Sequence, residues 1–359
     1  MRIHAGFIEL LALFAVASTA WGQTLPQTPG PKNAITDVPG IEVGHYTASS
    51  GSGGMTGTTA IIARGGAVAG GTQRGGAPGT RMTDLLKSEK AVGVAHAVVL
   101  SGGSAYGLAA SDGVMTCLEA QGVGLPVANG AIVPIVPSAI LFDPGRCAPF
   151  NFRPDASFGT NACNAANSGP VQMGNVGAGA GARSGGVKGG LGTASAVLPG
   201  GLVVGAIVAV NSSGRTFDAT TGAFFAGYTL ATADASSGTA LASSTDVPPS
   251  DELLRATTIA VVATNARLTK AQANKVAQMA DDGLARAIRP AHGTGDGDTV
   301  FALATGTVTT TPNISQIGGA AADVLSRAIM RAIMAADAVH VGTCNVSSYC
   351  ELFPQRCTR

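Results

Sequence analysis

Five short runs rich in Val, Ile and Ala place the strongest constraint on how this chain can fold. Gly or Asn flanks the runs, and this pattern is typical of buried β-strands. They lie at residues 59–63, 97–100, 202–210, 259–264 and 300–305. We therefore expect a core built on β-sheet.

Two amphipathic helices are predicted in the C-terminal part. Over residues 269–288, Thr269 and Gln272 form a capping box, apolar residues recur every three or four positions, and Pro290 ends the pattern. A second helical stripe covers residues 320–338. Strands mixed with helices favour sheets covered by helices, a layered αβ fold.

Charged side chains are scarce. They make up 12% of the chain, and the formal net charge is +1, whereas a typical soluble protein has about 25% charged residues. So low a charge predicts a surface partly buried against other subunits, hence a homo-oligomer. The near-neutral balance argues against nucleic-acid and membrane partners.

The first 22 residues have the pattern of a signal peptide. Arg2 and His4 precede an apolar run at residues 7–16, and Ala20 and Gly22 provide the small residues of a cleavage site. This predicts export to the periplasm or the medium. A membrane anchor is the alternative, but a spanning helix needs about 20 apolar residues.

Export changes the interpretation of the six cysteines, because an oxidising compartment favours disulfides. We expect one or two bridges that involve the tail cysteines 344, 350 and 357, with the pairing left open. Cys117, in an apolar helix-like stretch, is predicted to be a buried free thiol. There is no CxxC pair, so neither zinc nor another metal is expected.

Glycine is concentrated at residues 74–80 and 174–192. A phosphate cradle is one interpretation, but neither GxxxxGK[ST] nor a well-formed GxGxxG is present. Close backbone approach in tight turns explains the glycines better. No nucleotide or other cofactor is expected.

The common catalytic motifs are absent. Ser104 is one residue out of register for GxSxG, and HExxH does not occur. His45, His96, His292 and His340 have no motif partners, so we expect them to be structural.

One junction offers a nucleophile. Residues 231–256, rich in Ala, Ser, Thr and Pro, are expected to form a flexible tether, and strand-like sequence follows at Thr257. Cleavage before Thr257 would free an α-amine with a pKa near 7.7–8.0, which can act as base for the threonine's own hydroxyl. Ordinary β-propensity is the competing explanation for this threonine, and Thr258 is the second candidate.

Six segments then appear in a characteristic order, at residues 33–45, 74–86, 99–112, 133–143, 174–195 and 257–266. Together they resemble the self-processing L-aminopeptidase/D-esterase (DmpA-like) and β-peptidyl aminopeptidase family. The resemblance implies an α+β, four-layer αββα sandwich like that of N-terminal-nucleophile hydrolases, assembled as a homo-oligomer. It also implies self-cleavage of one domain into residues 23–256 and 257–359, and release of N-terminal residues from small peptides, amides or esters.

The resemblance assigns roles to four residues. Thr257 matches the nucleophile freed by cleavage after Ala256, and Asn211 matches an oxyanion-hole donor. Asp296 and Asp298 match groups that hydrogen-bond the nucleophile and its amine. From the residues alone, these two aspartates could also form an ordinary acidic turn.

The chain departs from the family pattern at four places. Ala256 stands where relatives have Gly or Asn, and no tyrosine of the oxyanion site is found in residues 133–143. Residues 144–151 and the cysteine-rich tail, residues 341–359, look like additions. Ala256 and the missing tyrosine favour an alternative, an unprocessed and non-catalytic binding or scaffold protein of the same fold.

Overall fold

The computed structural model describes residues 27–227, 256–308 and 313–357. The predicted signal peptide and nearly all of the predicted tether lie outside these ranges. Within them, no helix is both long and apolar enough to cross a membrane.

The described residues form fifteen strands and five α-helices. The strands are β1 (Glu42–Ser49), β2 (Met55–Gln73), β3 (Thr80–Arg81), β4 (Val94–Ser101), β5 (Leu125–Pro126), β6 (Ile132–Val133), β7 (Ser138–Ile140), β8 (Arg183–Ser184), β9 (Val187–Lys188), β10 (Gly190–Leu198), β11 (Leu202–Asn211), β12 (Thr257–Ala266), β13 (Thr299–Val308), β14 (Val339–Val341) and β15 (Cys344–Val346). The helices are α1 (Ala110–Ala120), α2 (Ala156–Asn164), α3 (Lys270–Ala287), α4 (Ile314–Ala335) and α5 (Tyr349–Leu352).

One hydrogen-bonded ladder joins nine of these strands in the order β10-β11-β12-β13-β2-β4-β7-β3, with β1 paired to β2. β12 runs parallel to β13, β4 runs parallel to β7, and the other pairs are antiparallel. The 19-residue β2 pairs with β1 through its N-terminal part, with β13 through its C-terminal part, and with β4 along its middle as far as Val68. This long strand therefore belongs to two sheet regions.

Three apolar cores divide the molecule into four layers. In β11, Val208 packs in a core with helices α3 and α4, whereas the next residue, Ala209, faces a second core between the sheet regions. In β4, Val98 faces that central core, and Val99 packs with α1 and α2 in a third. Because successive residues of a strand point to opposite faces, the order is helix, sheet, sheet, helix. The predicted α+β, four-layer αββα fold is confirmed.

Most of the predicted elements are present. All five apolar runs lie within strands, and α3 begins after Thr269, whose hydroxyl accepts a hydrogen bond from Gln272 N at 3.3 Å. The second helix was placed too late, since α4 already begins at Ile314. The prediction of turns throughout residues 174–192 was wrong at β10. There a Cβ on Gly192 would lie 2.1 Å from the Ala328 carbonyl oxygen, so this glycine lets α4 pack directly on the strand.

Three disulfides use all six cysteines: Cys117–Cys163, Cys147–Cys344 and Cys350–Cys357. Two of them involve tail cysteines, as expected. The prediction of a free thiol at Cys117 was wrong, because the packing of α1 against α2 brings Cys163 to it. The Cys147–Cys344 bridge joins a residue that precedes the 256–257 junction to a residue that follows it.

Candidate active site

The predicted nucleophile lies at the first residue of a central strand. β12 begins at Thr257, between β11 and β13, and the Thr257 side chain is 6% exposed. Its Oγ1 donates a hydrogen bond to the Ala256 carbonyl oxygen at 2.5 Å. Thr258 is fully buried and points to the opposite face. The hydroxyl beside the predicted scissile bond is therefore that of Thr257.

A glycine that the sequence analysis did not single out completes this junction. Gly297 N donates to the Ala256 carbonyl oxygen at 3.2 Å. A Cβ on Gly297 would lie only 2.7 Å from Thr257 Oγ1. Only glycine therefore brings a backbone N–H to this carbonyl without a side chain contacting the hydroxyl. In the sequence, the sign that could have pointed to Gly297 was its position between Asp296 and Asp298.

Asp298 holds the start of β12. One carboxylate oxygen accepts from Thr258 N at 2.7 Å, and the other accepts from His292 N and faces His292 Nδ1, both at 3.0 Å. Asp298 is 3% exposed. These contacts hold the Asp298 carboxylate at the backbone N–H of Thr258, the residue that follows Thr257.

Asp296 occupies a different environment. Its oxygens accept from Ser213 Oγ at 3.0 Å and from Gly293 N at 2.7 Å. Burial, followed by the charge of Asp298, raises the pKa of Asp296 above its ordinary value. The two aspartates thus lie in one loop, which pairs with Ala256, but their surroundings differ.

Asn211 lies directly opposite Thr257 in the β11–β12 ladder. Opposite residues of an antiparallel pair share a face, with Cβ atoms about 4.5–5.5 Å apart. Asn211 Oδ1 accepts from Arg183 N at 3.0 Å and from Arg146 Nη1, and Nδ2 donates to the Phe142 carbonyl oxygen at 3.3 Å. The fold therefore brings all four predicted site residues to one end of β12.

His292, which the sequence analysis expected to be structural, connects Asp298 to a second carboxylate. His292 Nε2 is 3.7 Å from Asp281 Oδ2 on α3, and Arg74 Nε is 3.3 Å from the same oxygen. Burial lowers the pKa of His292, but the hydrogen bond to Asp298 and the nearby carboxylates outweigh it and raise that pKa. In the sequence, nothing marked Asp281 as a site residue except its place on the buried face of a predicted helix.

The glycine segment at residues 74–80 lies against this loop. Ala77 N donates to the Asp296 carbonyl oxygen at 2.8 Å, and a Cβ on Gly75 would lie 2.3 Å from that oxygen. The preferred interpretation of these glycines, close backbone approach, is confirmed at Gly75. Within the described ranges, no three His, Cys, Asp or Glu side chains are arranged to hold a metal ion.

The buried Asp281 predicts a pH dependence of stability. Burial raises the pKa of Asp281 to about 6, against the opposing charges of His292 and Arg74. The unfolded carboxyl ionises near pH 3.9, so the folded state binds more protons between about pH 4 and 6. The contribution of Asp281 to stability is therefore full below this window. It should fall by about 3 kcal/mol as the pH rises through the window.

The variant Asp281→Asn should lack this pH-dependent contribution. The free energy of unfolding of the variant should therefore change less between about pH 4 and 7 than that of the unmodified protein. Denaturant unfolding at a series of pH values measures this difference. Asp282→Asn, which changes an exposed carboxylate on the same helix, is the matched control. Identical pH profiles for Asp281→Asn and the unmodified protein would contradict the prediction.

Comparison with known proteins identifies the family. The model of peptidase family S58 matches residues 33–346. The chain belongs to peptidase family S58. This confirms the resemblance drawn from the motifs, since S58 is the family of the DmpA-like and β-aminopeptidase enzymes.

Relatives and solved structures agree with this assignment. An uncharacterized aminopeptidase of Mycobacterium leprae (strain TN) is 44% identical over 368 residues, which cover 90% of this chain and 95% of the relative. A β-aminopeptidase of Burkholderia sp. has a TM-score of 0.70 at 26% identity, covering 92% of this chain and 94% of that one. These S58 relatives support an aminopeptidase or amidase function, and thus a hydrolase.

A further solved structure bears on the fold alone. The L-aminopeptidase D-Ala-esterase/amidase of Ochrobactrum anthropi, described as a variant of the Ntn hydrolase fold, has a TM-score of 0.71 at 23% identity. The match covers 93% of this S58 chain and 97% of that chain.

Proposed function

We propose that this protein is an aminopeptidase or amidase that cleaves its own chain between Ala256 and Thr257 and then uses Thr257 as an N-terminal nucleophile. One observation carries the proposal. The Thr257 hydroxyl and the Gly297 N–H both bind the Ala256 carbonyl oxygen, beside the carboxylate of Asp298.

In the first reaction, Thr257 Oγ1 attacks the carbonyl carbon of Ala256. The C–N bond breaks, the hydroxyl proton passes to the Thr257 nitrogen, and an ester joins the two residues. Gly297 N stabilises the negative oxygen of the tetrahedral intermediate. Water then opens the ester, leaving a carboxylate on Ala256 and a free amine on Thr257.

In turnover, the freed amine accepts the proton of the Thr257 hydroxyl as that oxygen attacks a substrate carbonyl. The amine of the leaving group departs with a proton, and water hydrolyses the acyl-enzyme. The carboxylate of Asp298 stabilises the ammonium form of Thr257. Asn211 Nδ2 and Gly297 N are the proposed donors to the oxyanion, and Gly297 supplies a donor in place of the tyrosine that residues 133–143 lack.

We further propose that the enzyme is exported and works as a homo-oligomer of processed chains. Three disulfides support an oxidising compartment, and the low content of charged residues supports subunit contacts.

Denaturing electrophoresis with and without reductant tests the processing step. With reductant, we expect two fragments, residues 23–256 and 257–359, the smaller of which begins at Thr257. Without reductant, we expect one species, because the Cys147–Cys344 bridge joins the fragments. A variant with serine at both positions should release two fragments without reductant. A single chain under reducing conditions would favour the unprocessed binding protein.

Substitution of Asn211 tests the oxyanion role. Asn211→Asp keeps an acceptor for Arg183 N and Arg146 but replaces the donating amide with oxygen. We expect kcat for an amino-acyl nitroanilide to fall by about 10²–10³ or more, with a smaller change in KM. Asn265→Asp, near the other end of β12, is the control and should retain kcat. Equal kcat for Asn211→Asp and the control would remove Asn211 from the mechanism.

A further inference from the structure

A chain of ionisable side chains runs from the start of β12 to helix α3. Asp298, which binds the backbone N–H of Thr258, also meets the imidazole of His292 at 3.0 Å. The other ring nitrogen of His292 faces Asp281 Oδ2 at 3.7 Å, and Arg74 Nε lies 3.3 Å from the same oxygen. The order of the groups is therefore carboxylate, imidazole, carboxylate and guanidinium.

The backbone of His292 is adapted to this contact. Its φ angle is 60°, in the left-handed region that glycine and asparagine adopt most readily. In this conformation the main-chain N–H and ring Nδ1 of His292 both meet Oδ2 of Asp298 at 3.0 Å. Unfavourable backbone conformations of this kind are concentrated at functional sites. His292 therefore holds the Asp298 carboxylate at two points.

The partners of the ring determine where it carries protons. An ionised carboxylate only accepts hydrogen bonds, so the Nδ1 atom that faces Asp298 carries a hydrogen. Among the residues that the structure describes, neither Nε2 nor the two oxygens of Asp281 have a hydrogen-bond partner of good geometry. Asp281 is fully buried, and a buried carboxylate needs positive charge beside it. A proton on Nε2 supplies such a charge and makes His292 an imidazolium between two carboxylates.

The neighbouring charges favour the same protonation state. The charged groups that face His292 and its partners are Arg74, Asp281, Asp282, Asp296 and Asp298. Burial and the charge of Arg74 lower the pKa of His292, but the hydrogen bond to Asp298 and the charges of the two flanking carboxylates raise it overall. Half of the Arg74 side chain is exposed to solvent, so its effect on the ring is screened.

A positive charge on His292 bears on the proposed base. In the proposed mechanism, Asp298 stabilises the ammonium form of Thr257, whereas the free amine accepts the hydroxyl proton. A nearby charge of the same sign disfavours the charged form of a group, so the imidazolium shifts Thr257 towards the free amine. The carboxylate of Asp281 stabilises the imidazolium and thus supports this effect from α3.

We propose that His292 is a positioning residue, which holds Asp298 at the start of β12 and, with Asp281 behind it, favours the free-amine form of Thr257. The inference rests on the proposed function, which it deepens by naming two groups that regulate the base. Both act through Asp298 and the charge around it, and not on the reacting atoms themselves.

Two substitutions separate the hydrogen bond from the charge. His292→Gly and His292→Asn both suit a positive φ and keep the main-chain N–H. Glycine removes the ring, whereas asparagine restores an N–H near the position of Nδ1 without a charge. At pH values above the acid limb, kcat/KM should fall about 10- to 100-fold in His292→Gly, as expected for loss of a hydrogen bond to a charged group. It should stay within about fivefold of the unmodified enzyme in His292→Asn, which retains that hydrogen bond.

The acid limb of the kcat/KM profile tests the charge. Loss of a nearby positive charge raises the pKa of an amine, so the limb should move to higher pH by at least about 0.5 unit in His292→Asn. A purely structural defect would lower activity without moving the limb. His340→Asn, at an exposed histidine paired with Glu351, is the control and should leave the limb in place.

An NMR titration of isotopically labelled histidine gives a readout that does not depend on turnover. The His292 resonance, assigned by its loss in His292→Asn, should show a pKa above the ordinary value for histidine. That pKa should fall in Asp281→Asn, because a neighbouring negative charge is lost.

An acid limb that stays in place in His292→Asn would overturn the inference. So would full activity of His292→Gly, or the same His292 pKa in Asp281→Asn and the unmodified protein. The proposed function is tested separately, because cleavage before Thr257 and hydrolysis by the unmodified enzyme would uphold it whatever these variants do.

Discussion

Thr257→Ala is expected to leave the chain uncleaved and to reduce kcat/KM by at least about 10⁴-fold. Removal of a covalent nucleophile has effects of this size or larger. The variant loses the hydroxyl that binds the Ala256 carbonyl oxygen, and it therefore also loses the means of freeing its own amine. Mass spectrometry of the reduced protein and steady-state hydrolysis of an amino-acyl nitroanilide measure the two losses.

Two companion variants separate chemistry from folding. Thr257→Ser retains a hydroxyl at the same position and should still be processed and active, whereas Thr258→Ala removes a buried hydroxyl from the opposite face and should be processed at Thr257. If Thr257→Ala matured normally, the assignment of the nucleophile would be wrong. Thr258 would take its place only if Thr258→Ala failed to mature.

Asp298→Asn is expected to lower kcat/KM by about 10²–10⁴-fold, the range typical of a group that controls proton transfer. Three N–H groups, from Thr258 and His292, meet the two oxygens of this carboxylate. An amide has only one oxygen, so its NH₂ group would face a donor. The variant also lacks the negative charge proposed to stabilise the ammonium form of Thr257.

The pH profile gives a readout that a purely structural defect would not produce. Loss of a nearby negative charge lowers the pKa of an amine, so the acid limb of kcat/KM should move to lower pH in Asp298→Asn. Asp282→Asn changes an exposed carboxylate and should leave the profile in place. An unchanged acid limb together with reduced activity would assign Asp298 to structure alone.

The sequence predicted those parts of the fold that local pattern controls. β12 and α3 were placed within two residues at each end because a Val- and Ile-rich run and a capping box are local signals. β10 was missed because its glycines resemble a turn sequence, and their function, contact with the backbone of α4, depends on a helix more than a hundred residues away.

Motif order predicted the family and the four residues that meet at the start of β12, whose catalytic roles stay predictions. The remaining groups of the site could not be found in this way. Asp281 lies on a helix, His292 has no motif partner, and Gly297 acts through its backbone. None of these contacts follows from sequence spacing.

The sequence by itself determined five of the strands, the helices α3 and α4, and the junction at which a threonine begins a buried strand, because periodicity and residue chemistry are local properties. Only the tertiary structure decided which carboxylate faces which donor, which cysteines pair, and that His292 lies between two carboxylates. Those arrangements depend on distances between residues far apart in the chain, and packing of the four layers sets those distances.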